Sequence, residues 1–380
     1  MYLIFSKPDF TIHNQSYEGF PLLLDKGCNV FVEGVEFLIY HCLKRGSVQS
    51  RRSWETFGRD LYDFFAFLEA NDLDWRQIQD RTNETLLAVY RDASFEHFNL
   101  SASTVNRRLH LAIKFYQFGL KQGWVSTLPY DLETVKVRQP KGFLAHTDTS
   151  GGVGAKPDVL LKTPSTKIKV LNAEQIAELL KTIKSPTLHL MVRLALSTGL
   201  RKEELLTFPV SRVVKPSSTT ARSHIVVELD PQEMSIKGDK ARTIHIPVSV
   251  MTDLWEYVIH ERSQLVRRHG AQPNTLFVTA MGENWSLKSR SLNNQLKALS
   301  LPFSTHPHVF RHTYATHTLK SLMQKKSLRF NPLLYVRDRL GHSSITTTER
   351  YLHFLDELED DLRTQYQQEI EDICDELAKV

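Results

Sequence analysis

Thirty residues in the middle of the chain, Gln139 to Ile168, argue against a single continuous core. They hold Pro140, Pro157 and Pro164 with Gly142, Gly151, Gly152 and Gly154, and Ser and Thr lie between them. Proline removes a backbone donor and glycine disfavours regular structure, so such a run reads as a linker. At 380 residues the chain is also longer than one ordinary domain. The sequence therefore predicts an N-terminal extension over 1–28, a helical domain over 29–138, the linker over 139–168 and a second domain over 169–380.

Residues 1–28 show short β-like apolar stretches without a strong period. From Val30 to Lys44 the pattern is apolar with few breakers, and from Ser50 to Ala70 the residues Trp54, Phe57, Leu61, Phe64, Phe65 and Leu68 recur at helical steps. Asn83 to Asp92 reads as a further helix. Ser101 to Gln122 reads as another, with Ser101 at its start and Gly123 at its end. These sum to a helix bundle. The second domain opens on a helix from Asn172 to Lys184, with Gln175 three residues after Asn172 in capping-box order. An apolar helix over 186–197 follows. Strand-like runs come next at Ile225–Leu229, Met234–Lys237 and Thr243–Val248, with Gly238-Asp239 as a hairpin turn between the last two. Helices return over 250–269, 293–299, 308–322 and 333–340, and one covers most of the tail. The expected fold class is mainly α with a small antiparallel β-sheet.

No apolar run is long enough to span a bilayer, and the first residues lack the pattern of a signal peptide, so a cytoplasmic location is expected. Cys28, Cys42 and Cys374 are too scattered for a disulfide framework or a zinc cluster. The net charge of +5 is unevenly spread: ten acidic residues stand against Arg363 and Lys379 between Leu352 and Val380, which leaves a strongly basic body. Such a body fits a polyanion-binding surface, and a solvated acidic helix explains the tail equally well.

Four local patterns carry chemistry: Ser197 to Leu205, the turn Ser235 to Arg242, His306 to His317, and Leu340 to Tyr351. A phosphodiester under attack gains charge on its non-bridging oxygens, and the planar fork of Arg binds two oxygens at once. A Lys on a hairpin is suited to protonating a leaving oxygen, and a Tyr hydroxyl can hold a covalent phosphate link. Taken singly, each residue has a plainer reading: a surface or ion-paired Arg, a structural His, a core Tyr. His308 and His312 have a zinc-compatible spacing, but Val309 stands where the metalloprotease pattern needs Glu.

In order, the patterns resemble the tyrosine recombinase (phage integrase) family. Thr198-Gly199-Leu200-Arg201 with Glu204-Leu205 matches its first motif, and His308-Val309-Phe310-Arg311-His312 its second. Leu340-Gly341-His342, with Tyr351 nine residues on, matches its third. Residues 29–138, with Ser101 to Leu109, look like the family's core-binding domain.

The resemblance implies a helical core-binding domain followed by a mixed α/β catalytic domain. It makes Tyr351 the nucleophile that forms a 3′-phosphotyrosyl link, and Arg201 and Arg311 the clamp on the phosphate. His342 becomes a hydrogen-bond donor to the same charge, His308 an aid to proton movement at Tyr351, and Lys237 the general acid. Lys240 lies across the same turn and stays an alternative to Lys237. Arg107, Arg108, Lys240 and Arg242 are candidate DNA contacts, although a solvated helix face explains either Arg107 or Arg108 alone.

The resemblance further implies no metal or other cofactor and strand exchange through a Holliday junction. Its implied partner is double-stranded DNA with a specific site, bound in a homotetramer, with accessory proteins as further partners. Leu355, Leu358, Leu362 and Tyr366 form a stripe that would dock on a neighbouring protomer or on its own domain. Competing readings are a type IB topoisomerase, a DNA-binding accessory protein without the chemistry, and a zinc-binding regulator. The extra segment and long linker lean towards integration or excision of a mobile element.

Overall fold

The computed structural model describes residues 1–46, 51–79, 83–136, 153–163, 168–216, 223–325, 330–342, 344–345, 347–352 and 354–355. The chain divides into two compact units, Met1–Ser165 and Thr166–Val380. The fold is mainly helical with small antiparallel sheets, each of two strands. Among the described residues no helix is long and apolar enough to cross a membrane.

The first unit begins with β1 (Tyr2–Phe5), the short pair β2 (Thr11–Ile12) and β3 (Gln15–Ser16), and β4 (Pro21–Leu24). β1 pairs antiparallel with β4, Tyr2 opposite Leu24. The N-terminal extension over 1–28 thus packs with the helices: Phe20 and Leu23 are fully buried in the same core. Pro21 lies so close to the next helix but one that a Cβ on Gly58 would fall 2.3 Å from its Cβ.

The helices are α1 (Val32–Ile39), which runs on as a wider π turn over Tyr40–Lys44, α2 (Arg51–Ala70), α3 (Leu86–Asp92) and α4 (Ala102–Gln122). Ser101 caps α4 by accepting from the Thr104 N–H, and Gly123 ends it in the left-handed conformation, φ +75°. Their facing stripes put Phe37, Phe64, Phe65, Phe115 and Tyr116 into a core of edge-on aromatic pairs, joined by Trp75 from the turn after α2.

β5 (Leu132–Lys136) pairs antiparallel with β6 (Val153–Pro157). Val159 is buried in the same core, and the Asn106 amide both donates to and accepts from the backbone of Leu161. The stretch expected to be a linker over 139–168 is therefore partly built into the first unit. Its residues 139–152 and 164–167 lie outside the described residues.

His41 sits 3% exposed in this core, stacked on Phe37 and edge-on to Phe57. Among the described residues neither ring nitrogen has a hydrogen-bond partner. Burial, then the charges of Lys114 and Arg45, push its pKa down to about 4. The unfolded chain therefore binds a proton that the folded chain refuses, so stability falls as pH drops from about 6.5 towards 4, by about 3 kcal/mol for this one group. We expect His41→Leu to be at least as stable as wild type at pH 7 and to lose visibly less stability at pH 5. Urea unfolding of both proteins at the two pH values checks this, and equal acid sensitivity would contradict it.

The second unit holds α5 (Ala173–Thr182), α6 (Pro186–Thr198), α7 (Lys202–Leu206), β7 (His224–Leu229), β8 (Arg242–Pro247), α8 (Val248–Tyr257), α9 (Ser263–His269), α10 (Ser291–Lys297), α11 (Pro307–Met323) and α12 (Pro332–Leu340). The capping box between Asn172 and Gln175 is present at the start of α5. α11 packs along α6 and against α12, and β8 packs on α6, α8 and α12. The hairpin differs from the sequence expectation. β7 pairs with β8, His224 opposite Pro247, and Met234–Lys237 is not a strand but part of the loop that joins them. Met234 and Ile236 anchor that loop in the core while Lys237 stays exposed.

Residues 347–352 and 354–355 are helical and carry Tyr351. Leu355 packs with Tyr351 on this unit's own cluster of Ala315, Leu319, Val336 and Leu340. The rest of the expected tail stripe, Leu358, Leu362 and Tyr366, lies outside the described residues.

Candidate active site

Two helix ends build the floor of the site. α6 stops at Gly199, left-handed at φ +68°, where a Cβ would fall 2.5 Å from the Tyr314 ring. Only glycine allows that conformation and that approach together. α12 stops in the same way at Gly341, φ +63°. Both ends leave backbone carbonyls without helical partners.

Arg311, on α11 and 2% exposed, reaches both ends. Its guanidinium donates to the Gly199 carbonyl at 2.7 Å and to the Leu340 carbonyl at 2.6 Å. Burial, then the Arg201 charge, opposed by Glu204, push its pKa down to about 9, so it stays cationic at neutral pH. Arg201 stands at the start of α7 and donates to the Gly341 carbonyl at 3.3 Å.

Glu204, fully buried, joins the cations. It accepts from the Arg201 N–H at 2.8 Å and from the Arg201 guanidinium at 3.0 Å. It also accepts two bonds from Arg242, at 2.9 and 2.7 Å. Burial alone would raise its pKa, but the bonds and charge of Arg242, and then the Arg201 charge, hold it below the ordinary carboxylate range. Arg242 gives its remaining Nε–H to the Arg339 carbonyl at 3.0 Å, and its side chain is 7% exposed. Arg242 therefore does not fit the DNA-contact role its charge suggested: it is a bracket that fixes Glu204.

Tyr351 is 3% exposed. Its hydroxyl meets Nδ1 of His312 at 2.9 Å, and its ring lies parallel to that of His342, centroids 6.3 Å apart. Burial raises the pKa of the phenol, opposed by the charges of Arg311, Arg350 and Arg201. His342 is fixed by Thr348, whose hydroxyl is 2.9 Å from Nδ1. Burial, then Arg311 and Arg201, push the pKa of His342 down to about 3. His308 lies one turn before His312 on α11, ring centroids 5.4 Å apart, and is exposed at the rim. Desolvation, then the charges of Arg311, His306, Arg201 and Lys237, lower its pKa. Lys237 sits in the turn closed by the Asp239 N–H on the Ile236 carbonyl, and Lys240 is exposed further along the loop.

The structure thus gathers Arg201, His308, Arg311, His342 and Tyr351, with Lys237 near enough for its charge to act on His308. His312 is the contact that sequence reasoning missed. Its place beside Arg311 and its i, i+4 spacing from His308 were the available signals. Among the described residues no group of three or more His, Cys, Asp or Glu is disposed to hold a metal ion.

Arg107 and Arg108 belong to the first unit and are paired there. Arg107 meets Asp60 at 2.9 Å, and Arg108 meets Asp63 at 2.5 Å. Arg107 keeps a half-exposed side chain, whereas Arg108 is mostly covered.

The architecture and the motifs have known counterparts. Residues 169–357 match the sequence model of the phage integrase family, and residues 36–123 match that of the phage integrase N-terminal SAM-like domain. The chain is 24% identical over 330 residues to tyrosine recombinase XerD of Staphylococcus saprophyticus, covering 84% of this chain and 92% of the relative. Among solved structures, XerH site-specific recombinase bound to a palindromic difH substrate superposes with a TM-score of 0.57 at 16% identity, over 88% of this chain and 95% of that one. A Tn1549 transposon integrase in complex with circular intermediate DNA superposes with a TM-score of 0.53 at 19% identity, over 83% of this chain and 94% of that one. Both share the fold. With both family models matched and the arginines, histidines and tyrosine of the matched motifs facing one another, the chain belongs to the phage integrase family, the tyrosine recombinases.

Proposed function

We propose that this protein is a site-specific DNA recombinase that cuts and rejoins duplex DNA through a 3′-phosphotyrosyl intermediate. The observation that most supports the reading is the Tyr351 hydroxyl bonded to His312, beside the His342 ring and under the charges of Arg201 and Arg311. That set has a nucleophile, two guanidinium groups for a phosphate and imidazoles for protons.

Tyr351 Oη attacks the scissile phosphorus and the bond to O5′ breaks. Arg201 and Arg311 bind the non-bridging oxygens, whose charge grows as the bond forms. His342, with Nδ1 engaged by Thr348, offers Nε2 to the same charge. The family resemblance gives His308 an assisting part in proton movement at Tyr351, and Lys237 protonates the leaving O5′. The phosphotyrosine keeps the bond energy, so rejoining needs no nucleotide. Two sites and four protomers then exchange strands through a Holliday junction.

The basic body and exposed Arg107, Lys237 and Lys240 favour a DNA partner, most of whose affinity comes from phosphate neutralisation. The apolar stripe of the tail, Leu358, Leu362 and Tyr366, would supply the contact between protomers. We propose integration or excision of a mobile element as the biological use, acting on DNA in the cytoplasm. A gene lying beside replication genes, far from any element boundary, would argue against that use.

Supercoiled plasmids with and without the DNA that flanks the gene test the reading. A recombinase cuts the first at one position, leaving a 5′ hydroxyl that polynucleotide kinase labels. A topoisomerase relaxes both plasmids alike, and a DNA-binding accessory protein cuts neither.

A further inference from the structure

The family resemblance gives His308 a part in proton movement at Tyr351, yet the hydroxyl itself meets another residue. The Tyr351 hydroxyl stands 2.9 Å from Nδ1 of His312, within reach for direct transfer. We propose that His312 is the general base that accepts the Tyr351 proton in cleavage and returns it in rejoining, a step that rests on the recombinase reading above.

Three features support it. The first is support from the scaffold. His312 lies between buried Arg311 and buried Thr313 on α11, whose packing on α6 fixes the backbone. The second is protonation state. His306, His308 and Arg311 face it from α11, and Arg350 and Tyr351 from the C-terminal helical segment, with His342 behind the phenol ring. Burial, then His308, Arg350, Arg311 and His306, push its pKa down to about 4. The imidazole is therefore neutral at pH 7, and with its proton on Nε2 it offers Nδ1 as an acceptor. The third is position: His308 is at the exposed rim, one helical turn nearer the start of α11.

The step balances within the site. As the Oη–P bond forms, the phenolic proton passes to His312 Nδ1. As the P–O5′ bond breaks, O5′ takes a proton from Lys237. Rejoining runs the same transfers backwards.

The test is single-turnover adduct formation on nicked duplexes from the gene's flanks, in EDTA, between pH 5 and 9.5. Wild type, His312→Gln, His312→Ala and His308→Gln are compared, with DNA binding and thermal unfolding measured on each. His312→Gln is expected to fold and bind DNA as wild type does and to cleave about 10²-fold more slowly at pH 7. Its rate should climb with pH towards the phenol's own ionisation, and imidazole should restore part of the activity of His312→Ala. A duplex with sulfur at the 5′ bridging position needs no acid, so it should rescue Lys237→Ala and not His312→Gln. A His312→Gln rate and pH profile equal to wild type would overturn the assignment, as would a loss with no change in profile and no imidazole rescue. If wild type itself forms no Tyr351-dependent adduct, the recombinase reading falls and this assignment with it.

Discussion

Arg311→Lys is expected to lower single-turnover DNA cleavage by about 10²–10³-fold, the range seen when one preorganised donor to developing charge is removed. Two features of the site set that expectation. The guanidinium spans two helix ends, Gly199 and Leu340, and still has N–H groups to spare for a phosphate. An ammonium is a single point of charge and cannot bridge both carbonyls while binding an anion. The site also disfavours cations, since even Arg311 is pushed down to about 9 by burial and by Arg201. Lysine starts lower, so in this place a larger share of it is neutral near pH 7. DNA affinity should change by only a few fold, because many other phosphate contacts remain. Quench-flow cleavage with a parallel binding titration separates the two effects. A Lys variant that cleaves at the wild-type rate would remove Arg311 from the chemistry.

Glu204→Ala is expected to destabilise the protein by about 3–5 kcal/mol, the usual consequence of removing one partner from a buried ion pair. One carboxylate, fully buried, answers both Arg201 and Arg242 and caps the first turn of α7 as well. Its loss leaves the covered guanidinium of Arg242, among the described residues, with the Arg339 carbonyl alone. Glu204→Gln keeps the shape and one acceptor and should fall between. Because Glu204 holds its charge through partners in the folded state, its contribution is present above the ordinary carboxylate pKa and is lost as acid takes the pH through the lowered folded value. Denaturant unfolding of the three proteins at pH 7 measures this directly. A Glu204→Ala midpoint close to that of wild type would show that the two arginines find other partners.

Much of the frame was legible in sequence because it depends on local rules. Helical spacing marked α2 and α4, Ser101 and Gly123 marked the two ends of α4 through a side-chain cap and a left-handed stop, and Asn172 marked the start of α5. The motifs located the arginines, histidines and tyrosine because their chemistry requires those residue types. What could not be read depends on tertiary choice.

Met234 to Lys237 alternates like a strand, but β8 found β7 as its partner, and Met234 and Ile236 serve as separate anchors of a loop. Arg242 looked like a DNA contact because charge in a sequence does not disclose its partner, here Glu204, 38 residues earlier in the chain. Arg107 and Arg108 likewise have partners the sequence does not disclose, Asp60 and Asp63 on α2, although Arg107 keeps an exposed side chain. Residues 1–28 lack a period because a short hairpin needs none, and their place in the core rests on the fit of Pro21 against Gly58. His308 and His312 share a helix face, and only the position of the C-terminal helical segment decides which meets Tyr351.

Everything proposed for the site turns on Tyr351 as the nucleophile whose Oη forms the covalent link to DNA. A nicked duplex from the gene's flanks traps that link, since the short strand released by cleavage diffuses away before rejoining. Wild type and Tyr351→Phe are incubated with it in EDTA and run on a denaturing gel. A slow-migrating protein–DNA band is expected for wild type and none for Tyr351→Phe, which lacks only the hydroxyl oxygen. A band of equal strength in both proteins would contradict it and move the nucleophile elsewhere in the chain.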